Sequence, residues 1–194
     1  MVGLGNDEEL MLAYGGGDVE AFEVIYRRHS GRLYRYLLRQ CGNPDDAQEL
    51  FQDVWANLIR ARERYEVRAR FATYLFTLAH NRLVDHYRRQ GHNPIAMAAN
   101  PGAGDDHANL EDIPDLSQHV IEDGVHRRRV ADRLLELIDR LPSAQREAFL
   151  LREEAGLSVD EIADVTGVNP ETAKSRLRYA VAKLRRLLQD EFGT

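Results

Sequence analysis
The stretch SAQREAFLLREEAGLSVDEIADVTGVNPETAKSRLRYAVAKLRRLL, residues 143–188, carries the signals that decide the fold. Leu141-Pro142-Ser143 closes one helix and caps the next, which Gly156 ends. Ser158 with Glu161 three residues on forms a capping-box pattern, opening a short helix through Ile162, Ala163 and Val165. Gly167 supplies a tight turn. Asn169 then reads as an N-cap and Pro170 as the first position of a helix of about 19 residues. Its apolar side holds Ala173, Leu177, Ala180, Leu184 and Leu187. Small Ala163, the turn glycine and apolar Val168 allow the close packing of a helix-turn-helix. Thr172, Lys174, Ser175, Arg176, Arg178 and Tyr179 are expected to project away from the core, with Lys183, Arg185 and Arg186 extending the charge. Residues 172–188 hold six basic residues and no acid, which suits a helix laid in the major groove, where Arg or Lys reads guanine edges.

Towards the N-terminus, residues 7–90 read as helix throughout, because apolar residues recur at three- and four-residue steps. Leu10, Ala13 and Tyr14 begin the pattern; Ala21, Phe22, Ile25, Leu33, Tyr36 and Leu37 continue it. Breaks fall at Gly15-Gly16-Gly17 and Gly42-Asn43-Pro44, with a new helix from near Asp45, so a bundle of three or four helices follows. In DDAQELFQDVWANLIR, residues 45–60, Ala47, Leu50, Val54 and Leu58 share one face while Asp46, Glu49 and Asp53 form an acidic stripe on another. Such a stripe is either a solvated face or a dock for a basic partner. In residues 60–90, Arg60, Arg62, Arg64, Arg68, Arg70, Arg82, Arg88 and Arg89 alternate with Tyr65, Phe71, Tyr74, Phe76 and Tyr87. Guanidinium groups neutralise phosphates and aromatic faces stack unpaired bases, so the mixture suits opened DNA. Phe76, Leu78 and Leu83 read as core.

Charge divides the chain further. Residues 1–90 carry 13 basic and 13 acidic groups and residues 125–194 carry 13 and 12, so both are nearly neutral. Residues 91–124 hold seven acids and no Lys or Arg, with three of the six prolines, and read as a flexible acidic linker able to separate its flanks by about 30 Å. The formal charge of −6 is mostly the linker's and does not argue against nucleic-acid binding elsewhere. An apolar fraction of 43% predicts a folded core, and one cysteine, Cys41, leaves no disulfide framework. No metal-ligand spacing accompanies the acids, and no cofactor is expected. With no apolar run long enough to cross a bilayer and no basic residue among the first 26, membrane insertion is not expected and a cytoplasmic location is.

These motifs, in this order, resemble the compact extracytoplasmic-function group of bacterial RNA polymerase sigma factors within the sigma-70 family. DDAQELFQDVW resembles the family's core-polymerase-binding motif, FATYLFTLAHNRLVDHYRR its promoter-melting and minus-ten-reading helix, and LSVDEIADVTGVNPETAKSRLRYAVAKLR its minus-thirty-five-reading helix-turn-helix. The resemblance implies an all-α chain of two small helical domains, regions 2 and 4, at residues 1–90 and 125–194, joined by the acidic linker 91–124. It implies core polymerase contact by Asp46, Glu49, Leu50, Gln52, Asp53 and Val54. It implies minus-ten contact by Arg62, Arg64, Arg68, Arg70, Asn81, Arg82, Asp85 and Arg88, with one base flipped from the stack, and minus-thirty-five contact by Thr172, Lys174, Ser175, Arg176 and Arg178. The partners so implied are core RNA polymerase, through its beta-prime clamp and beta flap, promoter DNA and an anti-sigma factor. Two motifs depart from the pattern: Tyr74 stands where many members have Trp, and Glu171 and Ala173 flank Thr172 where many have Gly and Val. A binding protein without chemistry of its own is expected. The competing readings are a stand-alone regulator binding duplex DNA through residues 157–188, and a metal-dependent hydrolase using Asp46, Glu49 and Asp53.

Overall fold
The computed structural model describes residues 5–91 and 133–192, and among them there is helix and no strand. Four helices make the N-terminal unit: α1 (Asp7–Gly15), α2 (Val19–Cys41), α3 (Pro44–Ala61) and α4 (Phe71–Arg89), with a 3₁₀ turn, Arg62–Arg64, after α3. The C-terminal unit holds a helical run at 133–139, then α5 (Ser143–Glu153), α6 (Val159–Thr166) and α7 (Pro170–Phe192). The all-α reading with two helical units holds. The segment read as a linker lies, apart from Gly91, outside the described residues.

The helix boundaries follow from local chemistry. Gly42 ends α2 with φ +69°, a left-handed turn that an L side chain rarely adopts. Asn43 immediately caps α3, its side chain accepting from the Asp45 N–H at 2.8 Å, with Pro44 in the first turn. Ser158 and Glu161 form the expected capping box on α6, and Gly167 ends that helix at φ +66°. Asn169 caps α7 through the Thr172 N–H at 2.7 Å. Two readings need correction. Ser143 does not cap α5; it is the first helical residue, and the Pro142 carbonyl receives the N–H groups of Gln145 and Arg146 at 2.9 Å. The last helix has 23 residues rather than about 19, because nothing between Leu188 and Phe192 breaks it.

Apolar faces explain the packing. Ile25, Leu33 and Leu37 of α2 meet Leu50, Val54 and Leu58 of α3 and Leu75, Phe76 and Leu83 of α4 in a closed core. Leu150 and Leu151 of α5 close with Ile162 of α6 and Leu177 and Leu184 of α7. Each fully buried leucine contributes about 1.5–3 kcal/mol over its exposed state. Helix α4 begins without a side-chain cap of its own; the Phe71 N–H donates instead to the Glu8 carboxylate of α1. At the end of α1, a Cβ on Gly15 would lie 2.7 Å from the Arg62 carbonyl oxygen, so that helix abuts the backbone of the 3₁₀ turn.

The two units pack on one another, α5 against α2 and α6 against α4. The Arg35 guanidinium grips the Glu154 carboxylate through three hydrogen bonds of 2.8 to 3.1 Å. Glu147, fully buried, accepts from the Tyr36 hydroxyl at 3.0 Å and stands 2.7 Å from His80 Nδ1.

Candidate polymerase-binding and nucleic-acid surfaces
Helix α3 is amphipathic in the way its spacing predicts: Ala47, Leu50, Val54 and Leu58 face the core. Leu50 and Val54 are therefore 1% and 0% exposed, and they set the helix against α2 rather than presenting themselves to a partner. Glu49 and Gln52 are exposed, and Asp46 and Asp53 are half-buried at the edge of the same surface. Asp46 lies 3.7 Å from His86 of α4, which ties the stripe to the neighbouring helix.

The segment Arg62–Arg70 arches from α3 to α4 over a cavity of about 510 Å³. Arg64, Tyr65, Arg68, Thr73, Tyr74 and Thr77 are among its lining residues. Tyr65 stacks edge-on against Phe71 and Tyr74, and burial, aided by the charge of Glu8, pushes its phenol up to about 12. Burial also raises Tyr74, so both phenols stay neutral, and the Tyr65 hydroxyl is buried without a hydrogen-bond partner among the described residues. Thr77 donates to the Thr73 carbonyl at 2.7 Å.

The arginines differ in what holds them. Arg62 donates to the Ile59 carbonyl and lies 5.8 Å over the Tyr14 ring, so it fastens the turn to α1. Arg68 pairs with Glu66 at 2.7 Å, Arg64 is exposed, and Arg70 reaches Glu161 of α6 at 3.2 Å. On α4, Asp85 sits between Arg82 at 3.2 Å and Arg88 at 3.9 Å, a ladder beside exposed Asn81. The interleaved aromatics do not form an open stacking platform: Phe71, Phe76 and Tyr87 are buried, and Tyr74 alone of the five is half-exposed.

On α7, Lys174 is exposed and Thr172, Ser175 and Arg178 are half-buried. Arg176 does not project to solvent as expected; it is 8% exposed, and burial lowers its pKa against the opposing pull of Glu147 on α5. Its place explains this, since residue 176 lies three residues after Ala173 and four before Ala180, both in the core.

Residues 25–93 match the family model for sigma-70 region 2, and residues 131–184 that for sigma-70 region 4. The chain is 32% identical to RNA polymerase sigma factor CarQ of Myxococcus xanthus, over 92% of this chain and 95% of CarQ. It is 34% identical to the extracytoplasmic-function sigma factor SigK of Mycolicibacterium vanbaalenii, over 88% and 83%. The chain belongs to the extracytoplasmic-function group of the sigma-70 family. The fold of this sigma factor is also that of the sigma factor RpoE solved with the anti-sigma factor NepR from Bartonella quintana, with a TM-score of 0.60 at 20% identity, over 87% of this chain and 96% of that one. In this sigma factor the cavity residues Thr73 and Thr77 were not among the sequence candidates, although two threonines four apart on one helix are a visible signal, whereas Tyr74 is one of the interleaved aromatics. No described helix is long and apolar enough to cross a membrane, and no cluster of metal-ligating side chains occurs among the described residues.

Proposed function
We propose that this sigma factor binds core RNA polymerase and directs it to a set of promoters as a two-domain adaptor with no chemistry of its own, acting in the cytoplasm. Residues 1–90 form the domain for polymerase and the minus-ten element, 125–194 the domain for the minus-thirty-five element, and 91–124 the acidic linker between them. The observation that carries this reading is the joint presence of an acid-edged α3 and a cavity under an arginine-rich arch on one unit, with a basic helix-turn-helix on the other. Glu49, Gln52, Asp46 and Asp53 meet the beta-prime clamp, with Leu50 and Val54 acting through the helix they seat. Arg64, Arg68 and Arg70 hold phosphates around a base that enters the cavity, with Asn81, Arg82, Asp85 and Arg88 along the strand. Thr172, Lys174, Ser175 and Arg178 meet the minus-thirty-five duplex and the beta flap lies against the same unit. An anti-sigma factor, as found on RpoE, is the class of protein that would hold it idle.

The test is transcription from a genomic promoter pool by core polymerase with and without the purified chain. Discrete new start sites sharing a pair of upstream elements are expected. Specific duplex binding by the chain alone, with no core binding and no new starts, would instead establish a stand-alone regulator.

A further inference from the structure
Helix α1 carries none of the sequence candidates, yet it touches both ends of the arch over the cavity, the 3₁₀ turn and the start of α4. Its three first-turn acids have separate partners. Asp7 grips α2, meeting Arg28 at 2.6 Å and standing 2.7 Å from His29 Nε2. Glu9 turns back on Asn6 and closes the capping box of α1 itself. Glu8, between them and half-buried, reaches α4 and accepts the Phe71 N–H. That N–H is one of the donors a helix start leaves without an internal partner, and α4 has neither a side-chain cap at Arg70 nor an acid in its own first turn. The missing cap is therefore supplied by another helix. It falls at the turn that carries Thr73 and Tyr74, with Thr77 one turn on, and all three lie on the cavity wall. The charge of Glu8 also reaches the phenol of Tyr65, which stands midway along the arch on the same wall. At the other foot of the arch, the Tyr14 ring near the end of α1 lies under the Arg62 guanidinium.

We infer that α1 is a brace that holds the cavity wall in place, and that Glu8, itself not on that wall, is a positioning residue for the base that enters the cavity. The identity of the occupant rests on the sigma-factor reading. Asp7 fixes the brace to the bundle, Glu8 sets the first turn of α4, and Tyr14 steadies the start of the arch. A pocket that tells one base from another needs its walls held to within about 0.5 Å, so a first turn free to fray loses selectivity before the chain loses its fold. The Phe71 N–H needs only an acceptor oxygen. An amide at position 8 supplies one as well as a carboxylate does, whereas an acid one methylene shorter does not reach as far.

The experiment assembles core polymerase with the full chain or a variant and transcribes a promoter library in which the minus-thirty-five element is fixed and the minus-ten element is randomised. Glu8→Ala is expected to flatten the base preference about tenfold, the size that loss of a helix cap gives, at one position of the element, the one whose base enters the cavity. Preferences at the other positions and affinity for core polymerase are expected to match wild type. Glu8→Gln is expected to keep the wild-type preference and Glu8→Asp to fall between the two; Glu8→Asp also carries the test if Glu8→Ala does not fold. A role in stability alone would lower the thermal midpoint and scale all promoters down together with every preference unchanged, and that result overturns the inference. So does a Glu8→Gln chain as flat as Glu8→Ala, which assigns the effect to charge rather than to the cap. No new starts from the wild-type chain removes the sigma-factor reading itself, whereas starts from both chains with identical preferences remove the brace alone.

Discussion

Asp53 and Leu50 sit three residues apart on α3 and differ in everything that decides a mutant phenotype. Asp53 is half-buried at the acidic edge and Leu50 is in the core. Asp53→Lys is expected to weaken association with core polymerase about tenfold while leaving the thermal midpoint within a degree or two, measured by titration of labelled chain and by calorimetry. Leu50→Ala is expected to cost about 2–5 kcal/mol of stability, seen as a lower urea midpoint, because the closed core around it cannot collapse fully. The stripe was legible from spacing alone, and so was the inward set Ala47, Leu50, Val54 and Leu58. Arg176 was misread although the same rule applied to it. Its spacing from Ala173 and Ala180 puts it on the apolar side, and its charge pointed the other way. The spacing won because a long arginine stem can lie along apolar surface.

Among the elements, those bounded by caps were read within a residue or two, because Asn43-Pro44, Ser158–Glu161 and Asn169-Pro170 act through atoms only two or three positions away. Asn169→Ala is expected to remove about 1 kcal/mol from the stability of the helix-turn-helix, measured by denaturant unfolding of the full chain. The start of α4 is different, since its first N–H finds Glu8, 63 residues earlier in the chain. No local pattern announces a cap that comes from another helix. The cavity escaped notice for the same reason, because Arg64, Thr73 and Asp164 meet only after three helices have been placed. The extra turns of α7 were legible in principle: Leu184, Leu187 and Leu188 continue the apolar period with no glycine or proline before residue 193.

At the scale of the whole molecule, the contact between units was not legible, because Glu161 announces only its capping box and Glu147 and Glu154 sit in no pattern that points to partners on α2 and α4. The folded chain has a pH signature whose sign is fixed, with Asp7 acting within the N-terminal unit and Glu161 between the units. Asp7 and Glu161 are each pushed up by burial, yet are held low on balance: Asp7 by Arg28 and His29, Glu161 by the Ser158 N–H, Thr73 and Arg70. A carboxylate held low in the folded state contributes its stability above its ordinary value and loses it as the pH falls through the lowered one. The urea midpoint is therefore expected to drop as pH falls below about 4, and E161Q is expected to flatten the part of that drop that comes from docking. Circular dichroism followed through urea unfolding at a series of pH values, on wild type and E161Q, checks both.

The close approach of Gly15 to the Arg62 carbonyl reaches further than its place at the end of a short helix suggests. A single methyl there cannot be accommodated by a side-chain rotation, because what it meets is main chain. The arch over the cavity would have to lift at its root. A residue that does not line the cavity thus constrains the backbone from which Arg64 and Tyr65 reach it, and a change at position 15 would alter the cavity's shape without replacing any side chain on its wall.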